Sequence, residues 1–195
     1  MGCVTGLILP AQLHTPAQLL LERHGGFDKG FTQRIFDRDM YRPVDPLFPF
    51  AAGRLGSGAN MAFDARLLRQ LRGFDPAAGA GTFARGGDDL AAFFRVIVSG
   101  HRLVYQPGAL VWHRHHRDMA SLGKQAYGYG VGLGAYLTSA LAHEPAMLPA
   151  LLRRVPAGII HAFSSSSARN LGRYQGWPTQ LTGLERRGVM FGPVA

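Results

Sequence analysis

The chain has 195 residues, of which 47% are hydrophobic and 10% aromatic, and its formal net charge is +9. This composition excludes a disordered chain, and the length suffices for one domain with a sizeable core. The excess of positive charge indicates either a solvated basic surface or a surface for polyanions, anionic lipids or diphosphates. Because Cys3 is the single cysteine, no internal disulfide is possible, and a reducing, cytoplasmic location is expected.

The N-terminal part of the chain predicts a strand, a helix and a long connection. Apolar residues 3–9 are typical of a buried strand, which Pro10 closes. Thr15 is expected to cap a helix, because Gln18 follows it at the spacing of a capping box. Residues 27–50 show no clear period and are interpreted as a long connection.

The middle of the chain predicts an α/β pattern. Residues 56–63 form a glycine-rich entry into a short strand, and Asp64 is expected to cap the helix that follows. The next helix, over residues 88–97, has apolar side chains at helical spacing. Two short strands, 102–105 and 109–113, come after it. We therefore expect a partial mixed sheet with flanking helices, followed by a helical C-terminal region.

The C-terminal region, residues 117–195, is predicted to be a helical extension of the domain formed by residues 1–116. Residues 125–142 carry no charge, but their glycines and tyrosines argue against a membrane-spanning helix. Two pairs of small residues are expected to let this helix pack closely against a neighbour: Gly128 with Gly132 and Gly130 with Gly134.

The following segment, residues 146–155, is amphipathic and ends with Arg153 and Arg154. It either packs on the domain or lies on a membrane surface, which would place the protein peripherally at the inner face of the membrane. The run Ser164–Ser167 is interpreted as a loop.

Two adjacent carboxylates, Asp88 and Asp89, begin the apolar helix, where the positive end of the helix dipole favours ionised acids. Asp88 as an N-cap would need no further role. Two acids exceed what a cap requires, so Asp89 is a candidate to face a cleft and accept a proton from a hydroxyl.

His113 ends the last predicted strand and is either a hydrogen-bonding surface residue or a metal ligand. His115 and His116 would extend a metal site, although no zinc-finger spacing is present. The surrounding basic cluster lacks the aromatic interleaving of a nucleic-acid reader, so no nucleic-acid partner is predicted. Residues 130–135 match a loose dinucleotide fingerprint, but the preceding sequence is helical rather than extended.

In their order and spacing, several motifs resemble the C-terminal half of family-2 glycosyltransferases with the GT-A fold. The resemblance covers roughly residues 3–140. The motifs are the strand Val4–Pro10, Gly56–Phe63, Gly73–Pro76, Gly86–Leu90 with Phe94 and Arg95, and Val111–His113.

The resemblance implies inverting transfer of a sugar from a nucleotide-sugar donor to an acceptor hydroxyl. In that family a Glu-Asp pair opens the helix, so the role of base falls on Asp89, with Asp88 standing where Glu is usual. A divalent metal, Mg²⁺ or Mn²⁺, would take His113 as one ligand and offset charge on the leaving group. Arg85, Arg95 or Arg117 would assist electrostatically.

The nucleotide-binding half of the family and its Asp-x-Asp motif have no counterpart in this sequence. Asp37-Arg38-Asp39 precedes the glycine-rich motif in an irregular basic stretch and is interpreted as a coincidence. We therefore expect a fragment, or one piece of a split enzyme, that needs a complementary N-terminal half. The alternative is a non-catalytic basic module that binds an anionic membrane surface or a polyanion.

Overall fold

The computed structural model of the protein describes residues 1–25, 27–38, 45–163 and 176–195. In chain order the elements are β1 (Cys3–Pro10), α1 (Pro16–Gly25), β2 (Arg34–Phe36), β3 (Met61–Phe63), α2 (Ala65–Gln70), α3 (Asp88–Val98), β4 (Leu103–His113), α4 (Met119–His143), α5 (Leu148–Leu152), α6 (Val155–Phe163) and α7 (Thr179–Phe191).

The strands form a four-stranded mixed sheet in the order β2-β4-β1-β3. The central strands β1 and β4 are parallel, while β3 and β2 pair antiparallel to them at the two edges. Two parallel strands need a crossover connection between them, and α3 is part of the connection from β1 to β4. The described part of the chain is thus an α/β protein with a helical C-terminal region, as expected at this coarse level.

Both predicted helix caps are confirmed. The backbone N–H of Gln18 donates to Thr15 Oγ1 at 3.4 Å, and the N–H of Thr15 donates to Gln18 Oε1 at 3.2 Å, which is the reciprocal pattern of a capping box. The Asp64 side chain accepts hydrogen bonds from the N–H groups of Arg66 and Leu67, each at 2.9 Å. Local sequence patterns therefore fix both helix starts.

Two expectations about strands differ from the structure. The predicted connection 27–50 contains the edge strand β2, which is too short to give a periodic pattern. The two predicted strands after α3 form the single strand β4, whose pairing shifts from Gly6 with Gln106 to Leu7 with Leu110. The Asn60 side chain spans this irregularity by donating to the carbonyls of Leu7 and Ala109.

The core lies between the sheet and the helices and includes side chains from α4. Phe93, Phe94 and Ile97 of α3 are fully buried in it. Tyr136 of α4 is equally buried, and its hydroxyl donates to the carbonyl of Phe50 at 3.1 Å. The long helix therefore packs directly on the α3 side of the sheet.

Glycines on two faces of α4 permit close backbone contact, as predicted. A Cβ at Gly130 would overlap the backbone of Glu185, so this face lies against α7. A Cβ at Gly132 would lie 3.0 Å from the carbonyl carbon of Gly86, so the opposite face lies against the loop before α3. Residues 130–135 lie within α4 and do not form the strand-to-helix turn of a dinucleotide site.

The predicted amphipathic segment 146–155 is not one helix. It forms α5 and the start of α6, separated by a turn at residues 153–154. Arg154 packs on the domain, since its Nε donates to the carbonyl of Phe48 at 2.8 Å. Ser164–Ser167 lie outside the described residues. No helix of the described chain is long and apolar enough to cross a membrane.

Candidate functional site

The two adjacent carboxylates line a cavity of about 590 Å³. Its walls come from the glycine-rich loop 56–59, the loop before α3, the start of α3 and one face of α4. Asp88 and Asp89 are the first two residues of α3, and the N-cap is Gly87. Asp88 as the N-cap is therefore wrong: Gly87 adopts a φ of 91° and has no room for a side chain beside Gly132, so glycine takes that position.

Asp89 is held in place by two backbone N–H groups. Its Oδ2 accepts a hydrogen bond from Gly58 at 2.7 Å, and its Oδ1 accepts one from Leu90 at 2.8 Å. A Cβ at Gly58 would lie 3.1 Å from the Asp89 carboxylate, so the close approach requires glycine there. This carboxylate therefore connects the glycine-rich loop to α3.

Burial raises the pKa of Asp89, and the adjacent charge of Asp88 raises it further. The hydrogen bonds from Gly58 and Leu90 act in the opposite direction, because they favour the ionised form. The net effect is a carboxylate that is a stronger base than an exposed aspartate.

The α4 helix adds a polar pair that faces the carboxylates. Gln125 Nε2 donates to the Tyr129 hydroxyl at 2.7 Å, and both side chains line the cavity. Desolvation of the hydroxyl raises the pKa of Tyr129, and the charge of Asp89 contributes in the same direction. Gln125 Oε1 is buried and has no hydrogen-bond partner among the described residues. Rotation of the amide would exchange the orphan oxygen for an orphan nitrogen, so one polar group of this side chain stays unsatisfied among the described residues.

Lys29 also lines this cavity, and burial lowers its pKa, while neighbouring Asp28 opposes that shift. Lys29, Gln125 and Tyr129 were not predicted as site residues. Lys29 belongs to the aperiodic connection, and the other two belong to the uncharged stretch 125–142 of α4. The packing of α4 across the start of α3 brings Gln125 and Tyr129 to the carboxylates, and the connection before β2 brings Lys29.

His113 lies at the end of β4, in a chain of hydrogen bonds with His115 and Glu22. His115 Nε2 lies 3.0 Å from Glu22 Oε2, and the Nδ1 atoms of the two histidines are 3.1 Å apart. The Nδ1 atom of His113 is thus occupied by His115, and Nε2 is the ring nitrogen of His113 that remains for a further ligand. Burial lowers the pKa of His113, with His115 and His116 acting in the same direction, and this favours its neutral form.

A lone pair on His113 Nε2 suits metal ligation, but the described residues do not complete a metal site. They contain no group of three His, Cys, Asp or Glu side chains that could hold an ion. Nor is His113 among the described residues that line the Asp88–Asp89 cavity; Phe27, whose ring centroid lies 4.8 Å from that of His113, lines it instead. The described residues alone therefore do not complete a metal site.

The three arginines that were expected to assist the reaction electrostatically lie in different surroundings. Arg85 lines the cavity, and its guanidinium lies 5.2 Å from the centroid of the Tyr127 ring. Arg95 is buried and donates to the carbonyls of Leu71 and Gly73, each at 2.5 Å, so it closes the end of α2. Arg117 is exposed and lines none of the described cavities.

Asp37 forms an ion pair with Arg102 at 3.5 Å. Asp39, the second acid of the Asp-x-Asp sequence, lies outside the described residues.

Comparison with protein-family models, with curated proteins and with solved structures finds no match.

Proposed function

We propose that this chain is the acceptor-side, catalytic-base part of an inverting glycosyltransferase of the family-2 type. The observation that carries the proposal is the Asp89 carboxylate, which is partly buried, fixed by the N–H of Gly58 and placed in a cavity with other polar groups. This arrangement suits a general base, because the oxygen is positioned and its pKa is raised toward neutrality. The sequence motifs shared with the family add to this support.

In the proposed reaction the acceptor hydroxyl gives its proton to Asp89 as its oxygen attacks the anomeric carbon of the donor. The bond from that carbon to the diphosphate oxygen breaks, and a nucleoside diphosphate leaves with the electron pair. Configuration at the carbon inverts because attack and departure occur on opposite sides. Tyr129 would orient the acceptor, with its hydroxyl fixed by Gln125, since both residues line the same cavity.

The donor would be held by a complementary nucleotide-binding half. A divalent metal, when bound, would stabilise the charge of the leaving diphosphate. His113 is the one ligand proposed from this chain, and the remaining ligands would come from the complementary half.

Tyr129→Phe tests whether this cavity binds the acceptor. The variant removes one hydroxyl but keeps the ring, so we expect the KM for the acceptor to rise about tenfold, the effect of one lost polar contact, with a smaller change in kcat. Release of nucleoside diphosphate from a panel of nucleotide-sugars and acceptors, assayed with the complementary half, measures it. Tyr127→Phe is the matched control, because Tyr127 is on the same helix but does not line this cavity. An equal effect of both variants contradicts the proposal.

One observation favours the second candidate function, contact with an anionic membrane surface. Large apolar side chains on α5 and α6 are exposed, and the exposed Arg153 lies between them. Their exposed fractions run from 43% to 64%, at Leu148, Leu152, Val155, Ile159 and Ile160. An apolar surface beside a cation is the pattern by which interfacial helices bind anionic lipid. The membrane contact is compatible with the transferase proposal.

Ile160→Gln tests this contact. We expect the variant to weaken co-sedimentation of the whole chain with vesicles of mixed anionic and neutral phospholipid severalfold, because about one buried apolar side chain is lost from the contact. Ile35→Gln is the control, since Ile35 is 50% exposed on a different element, the edge strand β2. Binding that both variants weaken equally, or that neither changes, excludes α6 as the contact.

A further inference from the structure

A second cavity, of about 1000 Å³, lies beside the carboxylate cavity. The two share Ala80, Arg85, Gln125, Gly128 and Tyr129 among their lining residues, so they are neighbouring parts of one depression. The carboxylates line only the first cavity, whereas the second is lined by Arg85, Lys124 and His116. The carboxylates therefore lie at one end of the depression, with Lys29 and Arg85 beside them, and Lys124 lies at the other end.

The cations of the second cavity are not neutralised by ion pairs. Among the described residues, ion pairs join Arg54 to Asp45 and Arg102 to Asp37, among others, whereas neither Arg85 nor Lys124 forms one. His116 contributes less, because it lies close enough to Asp118 to influence the pKa of that carboxyl. Ala195 also lines the cavity, without an ion pair to either cation. The two cations are therefore available to an anion.

The backbone conformation of Arg85 also indicates that this residue binds an anion. Its φ is 58°, a left-handed conformation that residues other than glycine, asparagine and aspartate seldom adopt. It is held there by the loop before α3, where its N–H donates to the carbonyl of Thr82 at 3.2 Å. This conformation, with the guanidinium over Tyr127, places an arginine at the border of the two cavities. Strained backbone of this kind is concentrated at binding sites.

We propose that Arg85 and Lys124 form a binding site for a phosphate group, carried by the same molecule whose hydroxyl faces Asp89. Arginine binds phosphate through paired N–H groups, and lysine adds a compact charge. Phe83, 87% exposed on the rim, offers an apolar contact to the organic part of the ligand. The phosphate site follows from the charges of the second cavity. Its assignment to the acceptor rests on the proposed function, and the diphosphate of the donor is the other source of the same chemistry.

Binding of phosphate compounds to the whole chain tests the proposal, with calorimetry as the readout. The probes are inorganic pyrophosphate, glycerol 3-phosphate and uridine diphosphate. We expect saturable binding that Lys124→Gln and Arg85→Gln each weaken about tenfold, the effect of losing one charge-assisted hydrogen bond. Arg66→Gln is the matched control, because Arg66 is an exposed cation on α2 that lines none of the described cavities.

The outcomes separate the possible sources. Binding of glycerol 3-phosphate that depends on Lys124 assigns the site to a phosphorylated acceptor. If uridine diphosphate binds more tightly than pyrophosphate and glycerol 3-phosphate, the phosphate site stands but it binds the donor rather than the acceptor. No saturable binding, or equal weakening by Arg66→Gln, overturns the site. If phosphate binds here but Asp89→Asn leaves sugar transfer unchanged, the site stands and the proposed function fails.

Discussion

Asp89→Asn is expected to lower the rate of sugar transfer by about 100-fold or more, the usual contribution of a positioned general base. Asparagine has nearly the same shape as aspartate but cannot accept the proton of the acceptor. The donor is bound elsewhere in the proposed enzyme, so its affinity should change little. Release of nucleoside diphosphate, measured with the complementary half present, gives the rate, and a separate titration of the nucleotide-sugar gives donor affinity.

Asp64→Asn is the control for this experiment. Asp64 also accepts backbone hydrogen bonds at the start of a helix, but it lines none of the described cavities. We expect it to change thermal stability modestly and leave the transfer rate unchanged. Unchanged turnover in Asp89→Asn, or an equal loss in both variants, removes the assignment of Asp89 as the base.

The pH dependence of transfer provides a second readout for the same residue. Because burial raises the pKa of Asp89, the ionised base is lost as pH falls through a value above that of an ordinary aspartate. The acid limb of the rate profile should therefore lie at higher pH than for an exposed carboxyl and should vanish in Asp89→Asn. Most aspartates have a lowered pKa in the folded state and stabilise the fold at high pH. Asp89 has a raised pKa, so its contribution to the free energy of unfolding is present at low pH and is lost as pH rises through its folded-state pKa.

Gly188→Ala is expected to destabilise the fold by about 2 kcal/mol or more, despite the better helix propensity of alanine. A Cβ at Gly188 of α7 would overlap the carbonyl oxygen of Tyr127 and lie 2.7 Å from the backbone nitrogen of Val131. Both are main-chain atoms of α4, so relief requires the two helices to separate. Thermal or denaturant unfolding monitored by circular dichroism measures the loss.

Gly183→Ala is the matched control on the same helix. A Cβ at Gly183 would meet no atom within 4 Å, so alanine there should be neutral or raise the free energy of unfolding by about 0.5–1 kcal/mol. If Gly188→Ala and Gly183→Ala have the same effect on unfolding, the close contact of α4 with α7 is not present in solution.

The sequence by itself determined the elements whose causes are local. The helix starts at Thr15 and Asp64 depend on side chains that bond to backbone groups two or three residues away, and both were predicted correctly. The close packing of α4 followed from its glycine spacing. The position of Asp89 at the start of an apolar helix also followed from the sequence, although its role as a base remains a proposal.

Only the tertiary structure decided the surroundings of Asp89. The N–H of Gly58, 31 residues away, fixes its carboxylate. Gln125 and Tyr129 reach the same cavity because α4 packs across the start of α3, and Arg95 is occupied by carbonyls at the end of α2. Such contacts join segments that lie far apart in the sequence, and neither a hydrophobic period nor a helix cap predicts which segments meet. A local pattern identifies a carboxylate and its helix, whereas burial, hydrogen-bond partners and neighbouring charge arise only when distant segments pack together.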